Sequence, residues 1–385
     1  MDIFEKCANY TDARAAQAAG LYPYFLPLED TEGTEVTIGG RRVLMIGSNN
    51  YLGLTTDPRV RQAAIEATRR YGTSCTGSRF LNGTLALHQE LERRLAAFVG
   101  KDAALVFSTG FQVNLGVISC LVGRGDVVVA DKDDHASIVD GCVLALGKLL
   151  RFNHNDLAHL DRVLAGAGEK AGRLVVVDGV YSMGGDLAPL PDLAATCARH
   201  GARLMVDDAH GLGVMGKGRG TAAHFGVSDQ VDLIMGTFSK SFASLGGFIA
   251  GAEDVIHYIQ HHARSLIFSA SMPAANVAAV LAALDIIETE PQHVQRLWAV
   301  TERMRAGLKA AGFNTGPSVT PVIPILIGDF ERTVMAWKMC YEAGLYTNAV
   351  ISPAVPPDQC LLRTSYMATH TDEQIDRALN ILGGV

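Results

Sequence analysis

Short, uninterrupted apolar runs alternate with stretches of helical periodicity through the middle of the chain. Such runs are typical of parallel strands that helices cover on both faces, because neither face then needs polar side chains. Helical patterns at 85–99 and 191–200 supply this cover. The pattern therefore predicts an α/β fold with a mostly parallel, doubly wound central sheet. The predicted strands are 104–107, 127–130, 174–177, 204–206 and 233–235.

The pattern changes near residue 253, where long helical stretches such as 294–311 begin. An apolar run at 322–327 and an amphipathic segment at 372–382 follow, so we interpret this part as a smaller α+β domain. A chain of 385 residues exceeds the roughly 250 that one core usually supports. The predicted organisation is an arm at 1–45, a large domain at 46–252 and a small domain at 253–385.

Composition and charge exclude several classes of protein. Hydrophobic residues make up 48% of the chain and charged residues 19%, which is typical of a compact enzyme. The formal net charge of −7, without a basic and aromatic cluster, argues against nucleic acid as a partner. No apolar stretch approaches the ~20 residues that cross a bilayer.

The amino-terminal sequence and the cysteines indicate a reducing compartment. MDIFEKCANYTDAR has acidic residues where a secretory signal has basic and then apolar ones, so we expect a cytoplasmic protein. The seven cysteines are dispersed and form no C-x-x-C pair. They are expected to be reduced thiols, and neither a disulfide framework nor a zinc site is expected.

Polar residues follow each predicted strand, where ligands of α/β sheets usually bind. Together these ends would bring small hydroxyls, acidic residues, two histidines and a lysine to one crevice. They read STGF at 108–111, DKDDH at 131–135, DGVYS at 178–182, DDAH at 207–210 and GTFSK at 236–240.

This combination suits pyridoxal phosphate (PLP). A lysine in an apolar pocket, here Lys240, loses its charge readily and its free amine attacks an aldehyde. Asp207 follows a hydrophobic strand and supplies the carboxylate that keeps the PLP ring nitrogen protonated. Small hydroxyls and backbone N–H groups at 109–111 and 237–239 would bind the phosphate, and His135 would stack on the ring.

Plainer interpretations exist for each of these residues. A lysine after a strand is usually solvated, and an aspartate there often caps a helix. The acidic residues at 131–134, with Asp207, Asp208 and His210, would also suit a metal, but a metal site explains neither Lys240 nor the hydroxyls. GLGVMGK at 211–217 approaches a P-loop, yet Gly218 stands where a Ser or Thr would hold magnesium, so we interpret it as a glycine-rich turn.

Several motifs in order resemble the α-oxoamine synthase family of fold-type I PLP enzymes. The similarity runs from about residue 43 to the carboxyl terminus. It implies a condensation of an amino acid with an acyl thioester, on a PLP-dependent transferase fold. The matching motifs are SNNYLG at 48–53, GTSCTGSR at 72–79, FSTGF at 107–111, HAS at 135–137, DDAH at 207–210, GTFSKS at 236–241 and LR at 362–363.

The resemblance also implies roles for individual residues. Lys240 would carry the cofactor, Asp207 would pair with its ring nitrogen and His135 would stack on the ring. His210, the fourth catalytic residue, would hydrogen-bond the phenolic oxygen of the cofactor together with Ser182. Further cofactor contacts would come from Thr109, Gly110, Phe111, Ser182, Thr237 and Ser239, and from Ser269 and Ala270 of a neighbouring subunit.

For the substrates, the resemblance implies that Arg363 clamps the amino-acid carboxylate together with His135, and that Asn50 lies at the acyl entrance. The enzyme would be a homodimer with shared active sites and would need no metal. An acyl-CoA or an acyl carrier protein would deliver the thioester.

Within the family, the motifs around Lys240 and Tyr181 look closest to the bacterial branch that joins serine to a long acyl chain. Ile351 departs from that pattern, because many relatives have an arginine in this region. A branch that uses alanine or glycine is the alternative. An aminotransferase or aldolase on the same fold, and a metal-dependent hydrolase, are the other hypotheses.

Overall fold

All five predicted strands lie in one seven-stranded sheet in the computed structural model, which describes residues 2–168 and 170–385. In chain order the strands are β1 (Asp30–Glu32), β2 (Glu35–Ile38), β3 (Arg41–Met45), β4 (Ala103–Phe107), β5 (Val127–Asp131), β6 (Lys148–Phe152), β7 (Arg173–Asp178), β8 (Arg203–Asp207), β9 (Leu233–Thr237), β10 (Gly247–Gly251), β11 (Val322–Gly328), β12 (Leu345–Tyr346), β13 (Asn348–Val350) and β14 (Cys360–Ser365).

Helices cover the sheet and build the carboxy-terminal part. They are α1 (Glu5–Ala8), α2 (Asp12–Ala18), α3 (Pro58–Tyr71), α4 (Ala86–Val99), α5 (Gly110–Leu121), α6 (Ala136–Leu144), α7 (Leu157–Ala165), α8 (Leu190–Arg199), α9 (Thr221–His224), α10 (Glu253–His262), α11 (Arg264–Ile267), α12 (Ala274–Thr289), α13 (Gln292–Ala310), α14 (Phe330–Glu342) and α15 (Asp372–Gly383). Short 3-10 helices lie at Leu54–Thr56, Gly216–Gly218 and Ser228–Gln230.

The large sheet has the strand order β4-β10-β9-β8-β7-β5-β6. The pairs from β6 to β9 are parallel, whereas β10 runs antiparallel to both of its neighbours. The predicted mostly parallel α/β sheet is confirmed. The sequence pattern missed β6 and β10, because β6 carries exposed polar residues and β10 is a short run with glycine at both ends.

Burial on both faces explains the uninterrupted apolar runs. Along β7, Val175 and Val177 belong to the core on one face of the sheet, whereas Leu174 and Val176 belong to the core on the other face. Successive strand residues point to opposite faces, so a strand between two helical layers is apolar at every position.

The carboxy-terminal part has two smaller sheets, with orders β11-β14-β13 and β1-β2-β3-β12. The second includes strands from the predicted arm, since β3 pairs in parallel with β12 and Leu44 lies in the carboxy-terminal core. Conversely, Val277 and Ile287 of α12 pack in the core of the large sheet. The boundaries near 45 and 253 stay predictions.

Candidate active site

A cavity of about 290 Å³ opens beyond the carboxyl ends of the central strands. Ligand sites in α/β proteins are usual at this edge of a sheet. Among its walls are ten residues singled out from the sequence: Thr109, Gly110, Phe111, His135, Ser182, Asp207, His210, Thr237, Ser239 and Lys240. Its further lining residues are Ser137, Asp178, Ala209, Met235, Leu245 and Gly246.

Lys240 lies in the loop after β9 and is half-buried. Burial lowers the pKa of its amine to about 8, although the negative charges of Asp207 and Asp178 oppose the shift. No hydrogen bond joins its Nζ to another residue that the structure describes. The uncharged, nucleophilic form of this amine is therefore far more populated near neutral pH than that of an ordinary lysine, although the protonated form still predominates below pH 8.

Asp207 ends β8 and is almost fully buried. Its Oδ1 accepts the N–H of Ala209 at 3.1 Å, and its Oδ2 accepts the side-chain amide of Asn114 at 2.7 Å. A carboxylate accepts about four hydrogen bonds, so Asp207 keeps acceptor capacity for a protonated ring nitrogen in the cavity.

The start of α5 forms an anion-binding cradle together with Thr237. The Thr109 side chain caps the helix by accepting the N–H of Gln112 at 3.2 Å, and the first N–H groups of a helix lack partners within it. A Cβ atom at Gly110 would lie only 2.7 Å from Thr237 Oγ1, so glycine keeps this corner open. Ser239 Oγ lies 3.0 Å from Thr237 Oγ1 and extends the row of hydroxyls.

His135 caps α6 and forms one wall of the cavity. Its backbone N–H donates to Asp178 Oδ2 at 2.9 Å, and its Nδ1 lies 2.8 Å from Ser137 Oγ. Burial lowers the pKa of His135, which favours the neutral ring. Burial and the charge of Asp207 raise the pKa of Asp178. A neutral ring is suited to stacking on a flat ligand.

Arg363, on β14, reaches the cavity edge through Ser182. Its Nε donates to the Ser182 carbonyl at 2.6 Å, and its Nη2 donates to Asn49 Oδ1 at 3.0 Å.

The Tyr51 hydroxyl lies 2.6 Å from His210 Nδ1. Burial lowers the pKa of His210 well below its usual value. Sequence reasoning missed Asn49 and Tyr51, although both lie in the SNNYLG motif that it quoted.

Besides Arg363, three of the expected site residues lie outside the cavity lining. The Asn50 side chain donates to Thr55 Oγ1 at 2.8 Å, which turns it toward its own loop. Ser269 Oγ accepts from the side chain of Gln112 at 2.9 Å, and the Ala270 carbonyl accepts from Ser108 Oγ. Their roles at the acyl entrance and in a neighbouring subunit stay predictions.

A buried ion pair supports the loop that carries Ser182. His154 lies 3.1 Å from Asp131 Oδ1 and 2.8 Å from Asp186 Oδ2. Although burial opposes protonation, these hydrogen bonds raise the pKa of His154 to about 10, so the ring is charged at neutral pH. The Asp186 carbonyl accepts the N–H of Tyr181, and the turn next to Ser182 is thereby closed.

The glycine-rich turn after residue 210 has a structural explanation. Asp208 is fully buried and accepts both the N–H and the hydroxyl of Thr221, at 2.7 and 2.8 Å. Burial raises the pKa of Asp208 to about 7. The turn wraps this carboxyl group, and the interpretation as a turn needs no nucleotide.

The donor set of the cavity fits PLP. An aldehyde needs an uncharged amine, a protonated ring nitrogen needs a buried carboxylate, and a phosphate needs hydroxyls and free N–H groups. Lys240, Asp207 and the cradle at Thr109 and Gly110 supply these groups around one space. The cavity volume of about 290 Å³ is at the lower end of the range for small-molecule sites, roughly 300–1,000 Å³.

Comparisons with known proteins agree with this chemistry. The family model described as aminotransferase class I and II matches residues 41–382. The chain is 52% identical to serine palmitoyltransferase of Bacteroides thetaiotaomicron, over 98% of this chain and 96% of the relative. It is 45% identical to 8-amino-7-oxononanoate synthase of Geobacter sulfurreducens, over 94% of this chain and 93% of the relative.

A solved structure extends the similarity to three dimensions. A serine palmitoyltransferase variant from S. paucimobilis, with a bound PLP–myriocin aldimine, superposes with a TM-score of 0.96 and 36% identity. The match covers 100% of this chain and 98% of that one. Fold and site together define a PLP-dependent enzyme.

The chain belongs to the aminotransferase class I and II family, and within it to the α-oxoamine synthases that include serine palmitoyltransferase and 8-amino-7-oxononanoate synthase. The resemblance found in the sequence motifs is confirmed. None of the helices in the described ranges combines the length and apolarity that crossing a bilayer requires.

Proposed function

We propose that the chain joins L-serine to a long-chain acyl thioester and releases CO₂ and the thiol, which leaves a 3-keto amino alcohol. One observation carries this proposal: the amine of Lys240 and the carboxylate of Asp207 line one cavity, and the Ser182 carbonyl holds the guanidinium of Arg363 at its edge, in a chain that shares 52% identity with a serine palmitoyltransferase. An acyl-CoA or an acyl carrier protein supplies the thioester, and the cytoplasm is the proposed location.

The cavity residues divide the work of holding the cofactor. Lys240 Nζ is the attachment point, Asp207 keeps the ring nitrogen protonated, and the cradle at Thr109, Gly110 and Thr237 receives the phosphate. When bound, PLP supplies an electron sink that stabilises negative charge at the amino-acid Cα.

The chain's own groups then move the proton and orient the carboxylate. Once serine has displaced it, Lys240 Nζ takes the Cα proton, because its depressed pKa makes it an effective base. Arg363 binds the serine carboxylate, and His135 contacts it from the ring side. Arg363 and His135 together fix the orientation of the bond between Cα and the carboxylate carbon. This bond breaks last, so CO₂ leaves after the new C–C bond has formed and the C–S bond of the thioester has broken.

The choice of serine rests on similarity more than on geometry. Ile351, half-buried just after β13, offers no charged partner to the serine hydroxyl. A site without such a partner gains little from selecting serine over alanine, so an 8-amino-7-oxononanoate synthase type of reaction is the alternative. A long acyl chain needs no polar contact, because each buried methylene contributes about 0.8 kcal/mol.

A substrate matrix separates the two reactions. We expect L-serine with a C16 acyl-CoA to give the highest kcat/KM among serine, alanine and glycine, each paired with C16 acyl-CoA and with a short dicarboxylic acyl-CoA. Thiol release and product mass are recorded for every pair. Highest turnover with alanine and the dicarboxylic thioester would replace the proposed reaction by the alternative. A keto acid formed without thioester would indicate an aminotransferase.

We further propose that the enzyme is a homodimer in which the partner subunit completes each cavity. Phe111 and Leu245 line the cavity yet are 43% and 48% exposed, and the nearby Leu81 and Phe268 are 78% and 75% exposed. Ser271 donates its N–H to the Gly77 carbonyl, which links the segment of Phe268 to that of Leu81, and we interpret these exposed apolar side chains as parts of one surface. A surface of this kind beside a cavity is typical of a subunit interface.

Mixed dimers test whether Ser269 serves the partner's cavity. We expect Lys240→Ala and Ser269→Asp chains to be inactive separately, the second because its charge repels the phosphate. When the two chains are co-expressed with different affinity tags, the purified heterodimer should regain one native site of its two. If the heterodimer stays inactive while retaining both chains, Ser269 acts within its own subunit and the shared site is refuted. A monomer by analytical ultracentrifugation would also contradict it.

A further inference from the structure

Three hydrogen bonds connect Asp207 to His135 through two side chains that face each other across α5 and α6. Asn114 Nδ2 donates to Asp207 Oδ2 at 2.7 Å and to Ser137 Oγ at 2.8 Å. Ser137 Oγ lies 2.8 Å from His135 Nδ1. Asn114 and Ser137 are 0% and 1% exposed, so water does not compete for these bonds.

The chemistry of the groups sets the direction of each bond. A carboxylate only accepts, so Asn114 must present its NH₂ group to Asp207, and the second N–H of that group is directed at Ser137. The Ser137 oxygen therefore accepts from Asn114 and has its own hydrogen free for His135 Nδ1. The side-chain oxygen of Asn114, Oδ1, is buried without a partner among the described residues. This indicates that the two N–H donors alone determine the orientation of the side-chain amide.

The backbone supports the same assignment. The Ser137 N–H also points at His135 Nδ1, at 3.3 Å, so two donors converge on this nitrogen. A ring nitrogen that receives two donors carries a lone pair, and the ring proton is then on the other nitrogen.

Close packing of the two helices makes this alignment possible. Gly141 lies one turn after Ser137 on α6. A Cβ atom at Gly141 would lie only 2.8 Å from the backbone carbonyl oxygen of Asn114 on α5. The α6 backbone can therefore approach α5 at this level, which brings the two side chains into hydrogen-bond distance.

We propose that Asn114 and Ser137 are positioning residues that keep the imidazole proton of His135 on Nε2, where it serves as a hydrogen-bond donor to the amino-acid carboxylate. The carboxylate-binding role rests on the proposed function, whereas the position of the proton does not. Asp207 then has two tasks: it pairs with the cofactor ring, and through Asn114 it sets the tautomer of the residue that covers that ring.

The tautomer is measured directly by long-range ¹H–¹⁵N NMR on the full-length protein labelled with ¹⁵N-histidine, with and without PLP. His135→Asn identifies the His135 signals by their loss. We expect a single Nε2–H tautomer in the native protein and a mixture of both tautomers in Ser137→Ala. Ser137→Thr keeps the hydroxyl and should restore the native pattern. Ser119→Ala is the matched control on α5, since the Ser119 hydroxyl bonds only backbone carbonyls of its own helix.

Serine binding gives the second measurement. Titration of the holoenzyme, followed by the cofactor spectrum, should show weaker binding in Ser137→Ala in proportion to the loss of the Nε2–H tautomer, about twofold for an equal mixture of the two tautomers. An Nδ1–H tautomer in the native protein, or an unchanged tautomer in Ser137→Ala, overturns the proposal. If that variant does not fold, Asn114→Ala supplies the same measurement. If serine binds weakly to the native protein and to all variants, while Ser137→Ala still changes the tautomer, only the assignment of serine as the substrate is overturned.

Discussion

Lys240→Ala is expected to abolish turnover, with a loss of at least 10²–10⁴-fold, the range usual for removal of a general base. The effect should be larger than for any other single change in the cavity, because the same amine also attaches the cofactor. The variant should bind PLP only noncovalently. Borohydride should therefore fix the cofactor to the native protein and not to the variant, as measured by absorbance and peptide mapping.

Lys101→Ala is the matched control for this experiment. Burial also lowers the pKa of Lys101, but its ammonium donates to the backbone carbonyls of Ser228 and Val231 at 2.7 and 2.5 Å. We expect this control to retain turnover and the reducible link. A reduced adduct on a lysine other than Lys240 would refute the assignment.

The capture of PLP by the native apoenzyme should also depend on pH. Because the pKa of Lys240 is lowered to about 8, its amine is mostly protonated below that pH and cannot attack the aldehyde. The observed rate should rise as the pH increases through 8, and a midpoint near 10.5 would indicate that the lysine is not buried in solution.

The large sheet was predictable because its central parallel strands are buried on both faces and therefore contain uninterrupted apolar runs, such as 174–177 in β7. Antiparallel β10 was not predictable, because it has glycine at both ends and only three residues between them, too few to form a clear apolar run. The pairing of β3 with β12 joins residues about 300 positions apart, and local periodicity holds no information on such contacts. For this reason the arm and the small domain looked separate in the sequence.

The residues of the candidate site were likewise predictable only in part. Lys240, Asp207 and His210 were found because each lies in the short polar segment that follows an apolar run, at the edge where ligands gather. Asn114 gave no such signal, since it is a polar residue within the helix α5 and only the contact with Asp207 reveals its role. The same helix also contains the polar residues Gln112 and Ser119, and of the three only Asn114 is fully buried, which the sequence does not reveal.

Arg363→Ala is expected to weaken serine binding by about 10- to 100-fold, because a charged hydrogen-bonded pair with a carboxylate is worth roughly 1.5–3 kcal/mol. The structure explains why the arginine is ready for this task. Two of its N–H groups are used by Ser182 and Asn49, which hold the guanidinium in place. Of its five N–H groups, three remain for the substrate. Spectral titration with serine gives the dissociation constant.

Two further variants separate the loss of this contact from a general disturbance. Arg363→Lys keeps the charge but loses the planar fork, so its affinity for serine should fall between those of the native protein and Arg363→Ala. Arg173→Ala is the matched control, because Arg173 donates to the backbone carbonyls of His200 and Gly168 at the opposite edge of the sheet. PLP binding should be unchanged in all three variants, because Arg363 binds the backbone carbonyl of Ser182 and leaves the Ser182 hydroxyl to the cofactor, and Arg173 lies at the opposite edge of the sheet. A serine dissociation constant in Arg363→Ala equal to the native value would show that another group binds the carboxylate.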